Sequence, residues 1–175
     1  MRTGNVQAGE TACRHMAEQI GAKGGAAIQN GPQASAVVDR VNGCRRALGE
    51  NPEVERLSHD RDGKGSREGG LNVVQGFLTR FPDLKGVFAV NDPQAIGSGL
   101  AARQLNRSGI AIVSALKGPT QIRASASQDP YTMGKLAAET GYGIMNGRKP
   151  GNPMIPMPSK PATRENVGAY RGWSR

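Results

Sequence analysis

Aromatic residues are scarce: three Phe, three Tyr and one Trp make up 4% of the 175 residues. A core assembled around stacked rings is therefore excluded. Cysteine is nearly absent. Cys13 and Cys44 do not stand at metal or redox spacing, so neither a zinc site nor a dithiol motif is available. Each falls in a helical apolar pattern and reads as a small core residue, with a disulfide between them left open. No apolar run approaches the ~18 residues of a membrane span, and residues 1–6 have no apolar segment of the kind that opens a secretion signal. As written, the chain is expected to stay in the cytoplasm without membrane insertion.

Acidic residues are also in deficit, 14 against 23 Lys plus Arg, for a formal charge of +9. Such a charge attracts phosphate non-specifically. Yet the basic residues are scattered, with Arg45-Arg46 the longest run, and no basic stripe interleaved with aromatics appears. A basic solvated surface is the reading, and no nucleic-acid partner is expected. What the chain has in quantity is glycine, 25 residues, which suits a fold of close backbone approaches.

Apolar residues at helical spacing predict helices over Val6–Ile20, Val37–Leu48, Leu71–Phe81, the segment after Pro93, and Tyr131–Met145. In the last of these Leu136, Ala137 and Ile144 are expected to face inward. Short apolar runs predict strands at Ala26–Gln29, Val54–Ser58, Val87–Val90, Ile110–Val113 and Ile122–Ala126. The polar stretch from His59 to Gly70 reads as a loop, and the proline-rich tail after Asn146 as extended edge or surface chain. Alternating strands and helices predict an α/β fold, a parallel sheet flanked by helices on both faces.

In such sheets ligands bind outside the carboxyl ends of the strands. The polar residues there are Asn30, the loop 60–67, Asn91-Asp92 and Ser114. Asn91 carries an acceptor and two donors, which suits a hydroxyl, but it equally suits a turn. Asp92 before Pro93 reads as the N-cap of the following helix. Arg40 offers a planar fork of donors, though from its helical position alone it reads as a solvated charge. His15 and His59 have no nucleophile partner, no phosphate loop is present, and "GKGS" is at best a weak anion nest. Nothing here supports covalent or metal catalysis, so neither an enzyme nor a cofactor is expected.

Three blocks, "NGPQASAVVDRVNGCRRAL", "GLNVVQGFLTRFPDLKGVFAVNDPQAIG" and "ASASQDPYTMG", resemble in order the sugar-binding proteins of ABC transporters, the ribose-binding-protein-like group with the type I periplasmic-binding fold. That resemblance implies two α/β lobes closing over a monosaccharide, which is delivered to a membrane permease, and a periplasmic location. It also implies that Arg40, Asn91 and Gln128 bind the sugar, which reverses the solvated reading of Arg40. The chain resembles essentially the C-terminal lobe: 5–114 as lobe core, 115–147 as a hinge crossing and a helix of the other lobe, and 148–175 as extended tail. With one lobe essentially absent, a truncated form that binds sugar weakly or not at all by itself is expected. The family's Asp-bearing turn after the fourth strand has no counterpart, since Ser114 runs directly into "ALKGP". The helix Tyr131–Met145, without the lobe it packs on in that family, is expected to expose an apolar stripe. The alternative is the effector-binding core of a lac-repressor-type regulator, which shares the fold and would need a DNA-binding segment not seen in these residues.

Overall fold

A computed structural model describes residues 2–114, 122–127, 129–149, 151, 155–157, 160–163, 166 and 169. Small residues and short apolar runs organise them into strands β1 (Arg2–Thr3), β2 (Gly24–Gln29), β3 (Val54–Ser58), β4 (Leu84–Ala89), β5 (Ala111–Ser114), β6 (Ile122–Ser127), β7 (Pro156–Met157) and β8 (Lys160–Thr163). The helices are α1 (Asn5–Gln19), α2 (Ser35–Gly49), α3 (Arg67–Arg80), α4 (Asp92–Gln104) and α5 (Pro130–Met145).

The main sheet has six strands in the order β3-β2-β4-β5-β6-β8. Neighbours run parallel from β3 through β6, and β8 closes the sheet antiparallel, Ala124 facing Thr163 and Ser127 facing Lys160. The sheet is therefore not purely parallel, because the last strand returns along β6. A separate parallel pair joins β1 to β7.

Side chains alternate across the sheet with the two-residue period of extended chain. Ala26, Ile28, Phe88, Val90, Ala111 and Val113 pack with Met16, Val41, Cys44 and Leu48 of α1 and α2. Ala27, Val87, Ala89 and Ile112 pack on the opposite face with Val74, Phe77, Leu78, Ala95 and Ala102 of α3 and α4. Most are fully buried, so both faces exclude water, the condition under which parallel strands are found.

Glycine sets how near the helices come. A Cβ on Gly9 of α1 would lie 2.0 Å from the Arg40 carbonyl oxygen, and one on Gly43 of α2 would lie 2.0 Å from that of Val6. Cys13 and Cys44, both fully buried, form a disulfide across this α1–α2 contact, with Cα atoms 5.1 Å apart. The core reading of the two cysteines holds for their burial, and their pairing follows from a helix packing that spacing along the chain does not reveal.

Helix α3 begins inside the segment read as a loop. Ser66 caps it, its Oγ accepting from the Gly69 N–H at 3.0 Å, and Glu68 lies in the first turn, where a negative charge favours the helix dipole. Gly69 and Gly70 look like loop punctuation, yet they are the residues that let α3 touch its surroundings: a Cβ on Gly70 would stand 2.4 Å from the Gln94 carbonyl oxygen. Ser66→Ala is expected to cost about 1 kcal/mol, read as a lowered thermal midpoint with unchanged helix content.

Helix α5 lies apart from both faces. Tyr131, Tyr142, Ile144 and Met145 are between 50% and 86% exposed, Ala137 is exposed, and Leu136 is half-buried. The expected inward face of Leu136, Ala137 and Ile144 is thus not formed, because no described strand or helix buries it. An exposed apolar face is what the helix carries.

Candidate functional site

The strand order places β3 on one side of β2 and β4 on the other. Connections leave in opposite directions at that point, and a crevice opens beyond the carboxyl ends of β2 and β4. Arg40 reaches this edge from α2. Its Nε donates to Asn5 Oδ1 at the start of α1 (3.0 Å), and its Nη1 donates to the Val90 carbonyl just past β4 (2.9 Å). Only 8% of the residue is exposed. Burial pushes the guanidinium below its ordinary pKa, and the negative charge of Asp92 pulls it back up. Two of the three guanidinium nitrogens thus bond the protein itself. Among the described residues Nη2 has no partner, so the donors left for a ligand are its N–H groups and the second one on Nη1.

Asn91, not Asp92, takes the N-cap role expected of Asp92. Asn91 is the N-cap of α4: its Oδ1 accepts from the Gln94 N–H at 3.0 Å, with extended backbone at the cap. Its Nδ2 also donates to the Gly65 carbonyl at 3.1 Å. These bonds fix the amide without exhausting it, since one lone pair and one N–H remain. Asp92, the first helical residue, is 9% exposed. Its Oδ1 accepts from the Ser114 hydroxyl at the end of β5. Pro93 in the first turn is compatible with either residue as cap, because its missing N–H has no partner there anyway.

Beneath this edge lies a layer of buried amides. Gln29 Nε2 donates to the Gly70 carbonyl (2.9 Å), and Gln94 Nε2 to that of Asn30 (2.7 Å). The Ser98 hydroxyl stands within reach of Gln29 Oε1 and the Gln94 carbonyl, at 3.1 and 2.9 Å. Gln94 Oε1 is buried and has no partner among the described residues. Asn30 also exchanges backbone bonds with Arg61 and Gly63, so the loop from His59 to Ser66 is tied to β2 and, through Asn91, to α4. The edge is preformed rather than loose.

The structure therefore brings Arg40, Asn91, Asp92 and Ser114 to one edge, while Gln128 lies outside the described residues. Sequence reasoning missed Asn5, Gln29, Gln94 and Ser98. The signal for Gln29 was an amide closing the apolar run Ala26–Ile28. For Gln94 and Ser98 it was a polar pair one turn apart on an otherwise small-residue helix, and for Asn5 it was the acceptor that a buried arginine requires. Among the described residues no cluster of His, Cys, Asp or Glu could hold a metal ion. A groove of about 620 Å³ runs between Leu57–Arg61 and the α3 residues Asn72, Phe77 and Arg80, and it contains none of the converged side chains.

Residues 1–149 match the periplasmic binding protein domain family. The chain belongs to that family. This periplasmic binding protein domain is 32% identical over 159 residues to the ribose import binding protein of Bacillus subtilis, covering 83% of the chain and 49% of the relative. It is 31% identical over 117 residues to a xylitol-binding protein of Mycolicibacterium smegmatis, covering 63% and 33%. The chain spans about half the length of the ribose-binding relative. Among solved structures, an ABC transporter periplasmic solute binding protein from Actinobacillus succinogenes with bound D-allose superposes with a TM-score of 0.88 at 23% identity, over 96% of the chain and 62% of that protein. A sugar-binding protein of a sugar ABC transporter from Bacillus halodurans superposes with a TM-score of 0.84 at 26% identity, over 96% and 65%. The architecture is accordingly that of one lobe of the type I periplasmic binding fold. No transcription regulator stands among these relatives, and the repressor alternative gains no support.

Proposed function

We propose that this domain is the ligand-holding lobe of the substrate-binding component of a sugar ABC transporter, taking a monosaccharide in the periplasm for delivery to a permease. The observation that carries the reading is the convergence of a buried guanidinium, a carboxylate, an amide and a hydroxyl at the strand-end crevice. Each sugar hydroxyl both donates and accepts. Arg40 supplies donors only, Asp92 acceptors only, and Asn91 one of each, so neighbouring hydroxyls can be satisfied in both senses. Gln128, the residue after β6 in the sequence, is the third member of the proposed set. In the same proposal residues 5–114 form the lobe core, 115–147 a crossing and a helix that packs elsewhere, and 148–175 an extended tail. Neither a nucleic acid nor a membrane span has a part in this reading, and no described helix is long and apolar enough to cross a membrane.

A single lobe covers one side of a ligand, so its affinity for a sugar is expected near the millimolar range, about −4 kcal/mol. Titration of the 15N-labelled chain with D-ribose, D-allose, arabinose and xylitol should move amide resonances at 30, 59–66, 90–92 and 114 for at least one of them. Shifts confined to other surfaces, or none for any of the four, would refute the reading.

A further inference from the structure

Arg40 depends on a second helix. Asn5, Gly9 and Cys13 follow one another at single-turn spacing on α1, and Arg40 and Cys44 do the same on α2. The two rows face each other. Asn5 Oδ1 accepts from Arg40 Nε at 3.0 Å, the Arg40 carbonyl lies where a Gly9 Cβ would be, and Cys13 is bonded to Cys44. Elsewhere the helix pair is joined by the apolar packing of Ala12 and Met16 with Val41, Ala47 and Leu48 and by two ion pairs near the surface, Arg14 with Glu50 and Arg46 with Glu10, which add little. The disulfide is the covalent clasp on the row that ends at the guanidinium.

We propose that the Cys13–Cys44 disulfide and Asn5 are positioning residues for Arg40: the clasp fixes α1 against α2, Asn5 orients Nε, and Nη2 is thereby left for the ligand. Two separated thiols need more room than a bonded pair, and at a fully buried site that room comes from moving the helices. Movement shifts Asn5 away from Nε. Reduction of the bond by a dithiol, which is itself oxidised to a disulfide as two electrons and two protons pass to the cysteines, should therefore loosen the arginine without touching it. The consequence for ligand binding rests on the proposed function, whereas the effect on Arg40 itself does not.

The Arg40 Nε–H resonance of the 175-residue chain, measured without sugar, reads the positioning directly. Its hydrogen exchange is expected to rise about tenfold in Asn5→Ala, in the Cys13→Ala, Cys44→Val double variant, and in the reduced protein, while Asn5→Asp keeps it slow and the circular dichroism of all folded forms is unchanged. Unchanged exchange in Asn5→Ala overturns the proposal, as does unchanged exchange in a folded protein lacking the disulfide. Should the disulfide variant unfold, the reduced protein at low temperature gives the same reading and Asn5→Ala decides alone. Faster exchange in these variants with no sugar bound by the unaltered chain would retain the positioning role and refute the sugar reading instead.

Discussion

Gly97→Ala is expected to lower the unfolding free energy by about 3 kcal/mol. The new Cβ would stand 2.0 Å from the Arg67 carbonyl oxygen and 2.6 Å from the Leu71 nitrogen. Both are backbone atoms of α3, so no side chain can swing away and the helices must separate. Separation would open the packing of Val74, Phe77 and Ala95 on the sheet. Gly76→Ala gives the matched control. Gly76 lies within α3, is exposed, and has nothing within 4 Å of its added Cβ, so alanine there should stabilise by about 0.5–1 kcal/mol through helix propensity. Urea midpoints of the two variants should move in opposite directions. Equal midpoints would refute the close-approach account.

Arg40→Met should cost about 3 kcal/mol and abolish the amide shifts produced by sugar. The substitution leaves the Val90 carbonyl and Asn5 Oδ1 without their donor, and it removes the cation that the buried Asp92 carboxylate faces. Arg40→Lys should recover less than half of the stability, because one ammonium cannot reproduce a fork that reaches two acceptors on different elements. Adding Asp92→Asn to Arg40→Met should restore about 1 kcal/mol by removing the buried charge that Arg40 no longer faces. Thermal unfolding of these three variants and of Asp92→Asn alone checks this, and strict additivity of Arg40→Met and Asp92→Asn would show that the two charges do not couple.

The α/β alternation was legible because burial on both faces writes itself into continuous apolar runs, as in Val87–Val90 and Ile110–Val113. Residues at the sheet edge were less legible. Arg40 has the same helical spacing whether it faces water or the crevice, and only the resemblance to sugar-binding proteins distinguished the two. Asn91 and Asp92 are adjacent and both good caps, so which one starts α4 was settled by the extended backbone at Asn91 and its bond from the Gln94 N–H. The start of α3 was hidden by Gly69 and Gly70, where close approach to the Gly63 carbonyl and to Gln94 of α4 overrides helix propensity. The disulfide was hidden because its two halves meet only once α1 and α2 have docked. The buried amides Gln29 and Gln94 were passed over because a glutamine in a core is intelligible only with its partners in view.

The two borders of the six-stranded sheet differ in chemistry but share an effect. At one border β3 presents exposed Glu55 and Arg56, and at the other β8 carries Pro161 opposite Ala126, a residue with no backbone N–H to give. A second chain approaching to extend the sheet meets charge on one side and a missing donor on the other. Among the described residues, strand addition is thereby disfavoured at both borders of the sheet.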